Sequence, residues 1–148
     1  MLIGQYIARL TEKGRSSLPK RFREVIGDKA IVAKWYEECL VVVSTESWAD
    51  LLQKLTGKSE IITAPVRDTD RFILGSAFEI SLDSQGRFVI PRILREYANL
   101  KEEIVFVGLG DRVEMWDIKS WQEREKYVQE NAPEMVEKLA KEKKKEGD

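Results

Sequence analysis

The sequence predicts a mainly β, α+β fold with short helices, built from two tandem copies of one unit and followed by a C-terminal helix. Three observations predict it. The chain repeats itself: a shift of 72 positions lays Leu10 on Leu82, Gly14 on Gly86, Arg15 on Arg87, Pro19 on Pro91, Arg23 on Arg95 and Glu24 on Glu96. Conservative pairs fill the gaps (Tyr6 with Phe78, Leu18 with Ile90, Lys20 with Arg92, Phe22 with Leu94), and a shift of 73 continues with Ile31 on Ile104, Val32 on Val105, Ser47 on Ser120 and Trp48 on Trp121. Within each copy, short apolar runs are separated by glycine turns. After Trp121 the pattern turns helical and charged. Two copies of this length are too few for a solenoid, so the copies should pack on each other as a pseudo-symmetric pair.

In the first copy 6–10 reads as a strand, Lys13-Gly14 as a turn and 15–18 as the return strand, glycine supplying the positive φ such turns require. Pro19 suits the first position of a short helix, where its missing N–H has no partner to lose, and Gly27 suits the end. The second copy repeats the order with a strand at 78–82, the turn Gln85-Gly86, a return strand at 87–90, Pro91 opening the helix and Asn99 stopping it. Further β segments follow at 30–33 and 40–43, then at 103–107 and 113–116. Each copy closes on a helix, entered through Ser44 or Thr45 in the first and Asp117 in the second. Between the copies, a polar stretch contains Pro65, which can open a helix running toward Phe72. Past Trp121 the helical pattern reaches Glu130, breaks at Asn131-Ala132-Pro133 and resumes in a charged tail. The expected division is a first repeat at 1–56, a connector at 57–72, a second repeat at 73–130 and a helical or frayed tail at 131–148.

A chain of 148 residues suffices for one compact domain or for two half-domains sharing a core. No apolar run reaches the roughly 20 residues of a membrane helix, and the N-terminal stretch lacks the pattern of a secretion signal, so a cytoplasmic protein is expected. One cysteine, Cys39, excludes an internal disulfide and reads as a buried small hydrophobe. The absence of histidine removes the usual zinc ligand and general base. Glu37-Glu38 and Glu102-Glu103 are chain neighbours, which on a strand face opposite ways and form no acid–base dyad. No catalytic constellation emerges; the reading is a non-enzyme with no cofactor, metal or small-molecule substrate. Trp48 and Trp121 read as packing residues, while Trp35-Tyr36 is a candidate subunit contact.

Charge is balanced overall, 25 basic against 26 acidic residues, but unevenly placed. The segment 9–23 carries Arg9, Lys13, Arg15, Lys20, Arg21 and Arg23 against Glu12 alone, a local charge of +5. Its counterpart 81–95 has Arg87, Arg92 and Arg95 against Asp83, or +2, which leaves the rest of the chain at -8. A basic face on an acidic body is what a DNA-binding module needs, because Lys and Arg contacts to phosphate supply much of the affinity. It is also how a merely solvated charged face reads. On a short helix Lys20, Arg21 and Arg23 are spread around the axis and cannot all point one way.

Thr11-Glu12-Lys13-Gly14-Arg15 with Leu18-Pro19, repeated as Asp83-Ser84-Gln85-Gly86-Arg87 with Ile90-Pro91, resembles the twice-occurring D-x-x-x-R signature of the MraZ family, in the AbrB/SpoVT superfamily. Gly75-Ser76-Ala77 before the second motif, and Val107-Gly108 with 114–117 after it, are similar to the family as well. The resemblance spans nearly the whole chain up to about Glu130. It implies swapped-hairpin β-barrel repeats, a ring of about eight subunits, and sequence-specific binding to short promoter repeats in double-stranded DNA of the division and cell-wall gene cluster. It therefore implies a nucleoid-associated transcriptional regulator.

The first copy departs from the signature, with Thr11 in place of Asp. Asp83 can pair with Arg87 across its turn, so Arg87 reads equally as a DNA contact or as a turn-closing ion pair. Arg15 lacks such a partner, Glu12 being the available substitute, and is the better candidate for a phosphate or guanine edge. Lys13 at the turn tip, Arg9 and Lys20 complete the DNA-binding set, while Gly14, Pro19, Asp83, Gly86 and Pro91 shape the motifs. The first copy is expected to dominate affinity. The alternatives are an oligomeric protein-interaction scaffold without DNA specificity, which predicts weak salt dependence, and an antitoxin-like binder, which would carry one motif copy.

Overall fold

The computed structural model describes residues 1–57 and 62–147, so part of the expected connector lies outside the described residues. The first repeat runs β1 (Leu2–Arg9), β2 (Arg15–Ser17), α1 (Lys20–Ile26), β3 (Lys29–Lys34), β4 (Leu40–Ser44) and α2 (Trp48–Thr56). After α3 (Ala64–Ile73), the second runs β5 (Phe78–Ser81), β6 (Arg87–Val89), α4 (Arg92–Tyr97), β7 (Glu103–Gly110) and β8 (Val113–Asp117). A long helix, α5 (Ile118–Gly147), completes the chain. Residues up to Ile118 form one compact unit and the remainder a second.

The two repeats are built through each other. A six-stranded sheet runs β1-β7-β8-β4-β3-β5. Since β1 corresponds to β5, β7 to β3 and β8 to β4, the order reads alike from either end. Each repeat sends its first strand out: β1 pairs antiparallel with β7, and β5 pairs antiparallel with β3. The return strands do the same, β2 pairing with β6 in a separate two-stranded ribbon. The turn and return strand read within each copy are thus exchanged between copies, as the swapped hairpins implied by the family resemblance require, because each return strand finds its ladder on its counterpart. Ser16 faces Phe88, the residues that a shift of 72 equates, so the pseudo-two-fold axis passes through that pair.

The short helices bury the same stripe twice. α1 turns Phe22 and Ile26 inward, and α4 with its cap turns Leu94 and Ala98 inward, each pair four residues apart and so on one helical face. They cover the inner sheet face of Ala30, Val32, Val42, Ile104, Phe106, Val113 and Met115 in one continuous core. Phe22 is fully buried and meets Tyr6 edge-on with ring centroids 5.1 Å apart. Truncating such a phenylalanine costs about 3–5 kcal/mol.

Helix boundaries differ from expectation in instructive ways. Pro19 and Pro91 stand one position earlier than expected, as the caps before α1 and α4, where their carbonyls accept the first helical bonds from Phe22 and Arg23 and from Leu94 and Arg95. α2 begins at Trp48, later than Ser44 or Thr45 suggests; Ser44 instead accepts the Ser47 N–H at 3.1 Å in the preceding turn. Asp117 accepts the Lys101 N–H at 3.1 Å. Pro65 lies in the first turn of α3. The expected break at Asn131-Ala132-Pro133 is absent: α5 continues through Pro133. One proline removes one hydrogen bond, and the Glu, Lys, Met and Ala on either side propagate helix well enough to bridge it. The Asn131 side chain donates to the Tyr127 carbonyl at 2.8 Å one turn below, adding a bond just before the proline.

Trp35 is buried and Tyr36 partly exposed, so only the second of that pair offers surface. Glu37 and Glu38 lie in a tight turn between β3 and β4 with φ of 59° and 57°, not on a strand. Cys39 is buried, and burial pushes its thiol pKa up.

Candidate nucleic-acid interface

The β2–β6 ribbon has one face on the core and one outside. Ser16 and Phe88 are buried, while Arg15, Ser17, Arg87 and Val89 are exposed, as alternation along a strand requires. In the register Arg15 faces Val89 and Ser17 faces Arg87. The two arginines are therefore diagonal neighbours on one outward face, with Cα atoms about 7–8 Å apart for such a pair. The axis that relates the repeats runs between them.

Each arginine is preceded by a four-residue turn of the same construction. The Gly14 N–H donates to the Thr11 carbonyl and the Gly86 N–H to the Asp83 carbonyl, both at 2.9 Å, with φ of 81° and 76° at the glycines. An L side chain rarely adopts that backbone, which explains glycine at both positions. The turns differ at their first residue. Asp83 accepts the Gln85 and Arg87 N–H groups at 2.9 Å through one oxygen and binds Arg87 Nε at 2.7 Å through the other. These bonds, led by the Arg87 N–H, hold its carboxyl at a pKa of about 2, below the ordinary 3.8. Thr11 reproduces only the backbone half: its hydroxyl accepts the Arg15 N–H at 3.0 Å. Among the described residues neither Glu12 nor any other carboxylate pairs with the Arg15 guanidinium.

The other basic residues follow the same division. Lys13 stands exposed at the first turn's tip, where the second turn has Gln85. Lys20 opens α1 and lines a shallow hollow of about 290 Å³ together with Asp83 and Ser84 of the opposite turn. Its counterpart Arg92 is paired with Glu96 at 2.9 Å. Arg9 stands apart from the ribbon, on the six-stranded sheet opposite Glu103, although its carbonyl accepts the Ser16 hydroxyl at 2.9 Å. Among the described residues the first repeat thus presents Lys13, Arg15 and Lys20 without carboxylate partners, while Arg87 and Arg92 of the second are each neutralised by a neighbour.

Residue-by-residue reading misses Arg23 and Arg95. Each half-buried arginine lies over the opposite repeat's glycine: a Cβ on Gly14 would come within 2.6 Å of Arg95, and one on Gly86 would collide with the Arg23 side chain. Arg95 Nε donates to the Ile90 carbonyl at 3.0 Å, and Arg23 Nη1 to the Ser84 carbonyl at 3.1 Å. Alongside, the Ile90 N–H donates to the Gly14 carbonyl at 2.8 Å and the Leu18 N–H to the Gly86 carbonyl at 2.9 Å. The signal was in the alignment of the copies, where Arg23 and Arg95 recur with the glycines they cover.

Among the described residues no helix is long and apolar enough to cross a membrane, and no cluster of acidic or cysteine side chains is placed to hold a metal ion. Comparison with known proteins is consistent along the chain. A family described as the MraZ protein, antitoxin-like, matches twice, at residues 1–72 and 73–143. A protein of Caldicellulosiruptor saccharolyticus named transcriptional regulator MraZ is 42% identical over 122 residues, covering 82% of this chain and 85% of its own. One of the same name from Caldanaerobacter subterraneus subsp. tengcongensis is 36% identical over 144 residues, covering 94% and 96%. The solution structure of PHS018 from Pyrococcus horikoshii overlaps 78% of this chain and 88% of its own at 14% identity with a TM-score of 0.33, too slight a likeness to use. With a match to each half and relatives spanning most of its length, this chain belongs to the MraZ family.

Proposed function

We propose that this protein is a non-enzymatic transcriptional regulator that binds double-stranded DNA sequence-specifically through the outer face of the β2–β6 ribbon and its two glycine turns. One observation carries the reading: Arg15 and Arg87 stand on one exposed face, diagonally across the pseudo-two-fold axis, with the tip of a turn beside each. A two-stranded ribbon fits the major groove, where arginine reads the O6 and N7 of guanine, and Lys13 and Lys20 lie where phosphate contacts would fix the register. Family relatives named as transcriptional regulators support the same role. Arg15 leads in this reading, because its guanidinium need not give up a carboxylate to take a base.

The finer expectations are part of the proposal: a cytoplasmic, nucleoid-associated protein acting on short promoter repeats of the division and cell-wall genes as a ring of about eight subunits. Assembly is supported by the outer edge of the sheet. β1 is an edge strand whose Ile3 and Ile7 are 59% and 69% exposed, beside a 40% exposed Leu109 on β7. An edge with apolar residues facing out invites pairing with another chain. A ring would present many copies of one modest site to repeated DNA and bind by avidity.

A salt-dependent titration of the purified protein against DNA from upstream of its own gene cluster, beside scrambled DNA and with the mass measured in solution, tests this. Preference for the native fragment, with affinity falling steeply as salt rises, is the expected result. An assembled protein that binds both DNAs equally, with little salt dependence, would replace the regulator by a protein-interaction scaffold.

A further inference from the structure

The clasps over the two turns cross between repeats, and their bonding is unequal. Arg95 belongs to the second repeat, yet its guanidinium covers Gly14 in the turn that carries Lys13 and Arg15. Arg23 belongs to the first, yet it covers Gly86 and donates to the Ser84 carbonyl in the turn that carries Arg87. Arg95 is tied by Nε to the Ile90 carbonyl of its own repeat, so among the described residues it lies across the turn as a lid without a hydrogen bond to it. Arg23 bonds to the opposite turn directly, and its Nε is shielded from solvent with no hydrogen-bond partner among the described residues. Both lie within the basic stretch that reads at first sight as a phosphate-binding surface, but neither guanidinium is presented as Arg15 is.

We infer that Arg23 and Arg95 are positioning residues, each holding the opposite repeat's turn in place, so that Arg95 acts on DNA through Arg15 and Arg23 acts through Arg87. The inference rests on the DNA-binding reading for its effect on affinity but not for its structural content. Each turn carries hydrogen bonds of its own, but its glycine has no side chain to cover the backbone there, and the arginine laid across it excludes water and restricts the backbone from which the reading side chain projects. Fixing that backbone before DNA arrives lowers the ordering cost of binding. The pairing is also specific. Loss of one clasp loosens one turn only, and the turn it loosens lies in the other repeat.

Two measurements on the full-length protein test this. The first uses no DNA: amide hydrogen exchange in Arg95→Ala is expected to speed up about tenfold at residues 11–15 and to leave residues 83–87 unchanged, with Arg23→Ala giving the reverse. Equal acceleration at both turns, or none, overturns the inference. The second is a pair of double-mutant cycles read by DNA titration. Arg95→Ala is expected to weaken binding several-fold in the native background and to have no further effect on affinity or salt slope in an Arg15→Ala background, while its effect in an Arg87→Ala background is undiminished. A further loss with a salt slope reduced by about one in the Arg15→Ala background would make Arg95 a direct phosphate contact and overturn the inference. Arg95→Lys, which keeps the aliphatic stem, serves if the alanine variant does not fold, and is expected to restore much of the exchange protection. Should the native protein bind no DNA, the functional reading fails, and the exchange pattern alone decides the positioning role.

Discussion

The two turns are the same device with different side chains at three of five positions, and the first of those differences, Thr11 against Asp83, reverses the state of the arginine that follows. At Asp83 a carboxylate serves both the backbone and the guanidinium of Arg87; at Thr11 a hydroxyl serves the backbone only, and among the described residues the Arg15 guanidinium has no carboxylate partner. Turn geometry therefore depends on a side-chain oxygen that accepts the N–H four residues on, which either residue supplies. Whether the arginine is committed depends on a second oxygen, which only Asp has. A duplicated site can in this way keep its shape while dividing its labour.

The largest expected effect separates the arginines. Arg15→Ala should weaken binding to specific DNA by about 1–3 kcal/mol, the range for a bidentate contact to guanine, and Arg87→Ala by less. Fluorescence anisotropy titrations at one salt concentration give both; an equal or larger loss for Arg87→Ala, with folding and assembly unchanged, would remove the asymmetry. Glycine substitutions should cost both turns stability, the second more than the first. Gly14→Ala and Gly86→Ala each force an L residue to positive φ and displace an arginine, at about 1–2 kcal/mol, but a Cβ at Gly86 also meets the Leu18 carbonyl at 2.9 Å, so Gly86→Ala should give the larger drop in thermal midpoint. An equal or larger drop for Gly14→Ala would remove that difference.

Exchanging the distinguishing residue sharpens the comparison further. Thr11→Asp gives Arg15 the partner that Arg87 already has and should lower DNA affinity by at most about fivefold, the scale of an exposed ion pair of about 1 kcal/mol. Unchanged or higher affinity would show that a held guanidinium reads DNA as well as an unpaired one. The smallest effect is one of pH. Because the Asp83 pKa is depressed from 3.8 to about 2, its contribution to stability is complete above about pH 5 and is lost as pH falls through about 2. The stability difference between the native protein and Asp83→Asn should therefore be constant from about pH 5 to 8 and shrink progressively below that, through about pH 2, whereas Thr11→Val should give a difference that does not titrate.

Much of this was legible in the residues. The repeated spacing of glycine, arginine and proline located both turns and both short helices, and Asp83 with Arg87 could be paired from their separation alone. Two things were not visible. Strand exchange is invisible to periodicity, since β1 alternates identically whether its partner is β2 or the distant β7, and only the family resemblance supplied it. The roles of Arg23 and Arg95 were hidden because a residue count assigns every arginine the same charge, and burial over a glycine is a tertiary fact. Identity between the copies was the available clue: residues kept in both, such as Gly14 with Gly86 and Arg23 with Arg95, hold the shape, whereas those that differ, such as Thr11 against Asp83 and Lys13 against Gln85, tune the surface. The proline in α5 misled for a simpler reason, because local helix propensity on both sides outweighed a single missing donor.

Strand exchange also sets an order of events on the ribosome. β1 is made long before its partner β7: the registers join Arg9 to Glu103 and Leu2 to Gly110, so its ladder cannot form until β7 has been synthesised. At about 5–20 residues per second, the nascent first repeat spends several seconds with Ile3 and Ile7 on an unpaired strand. Two such chains on one messenger could pair with each other's second repeat instead of their own. Crowded translation would then yield intertwined dimers, which slower initiation would suppress.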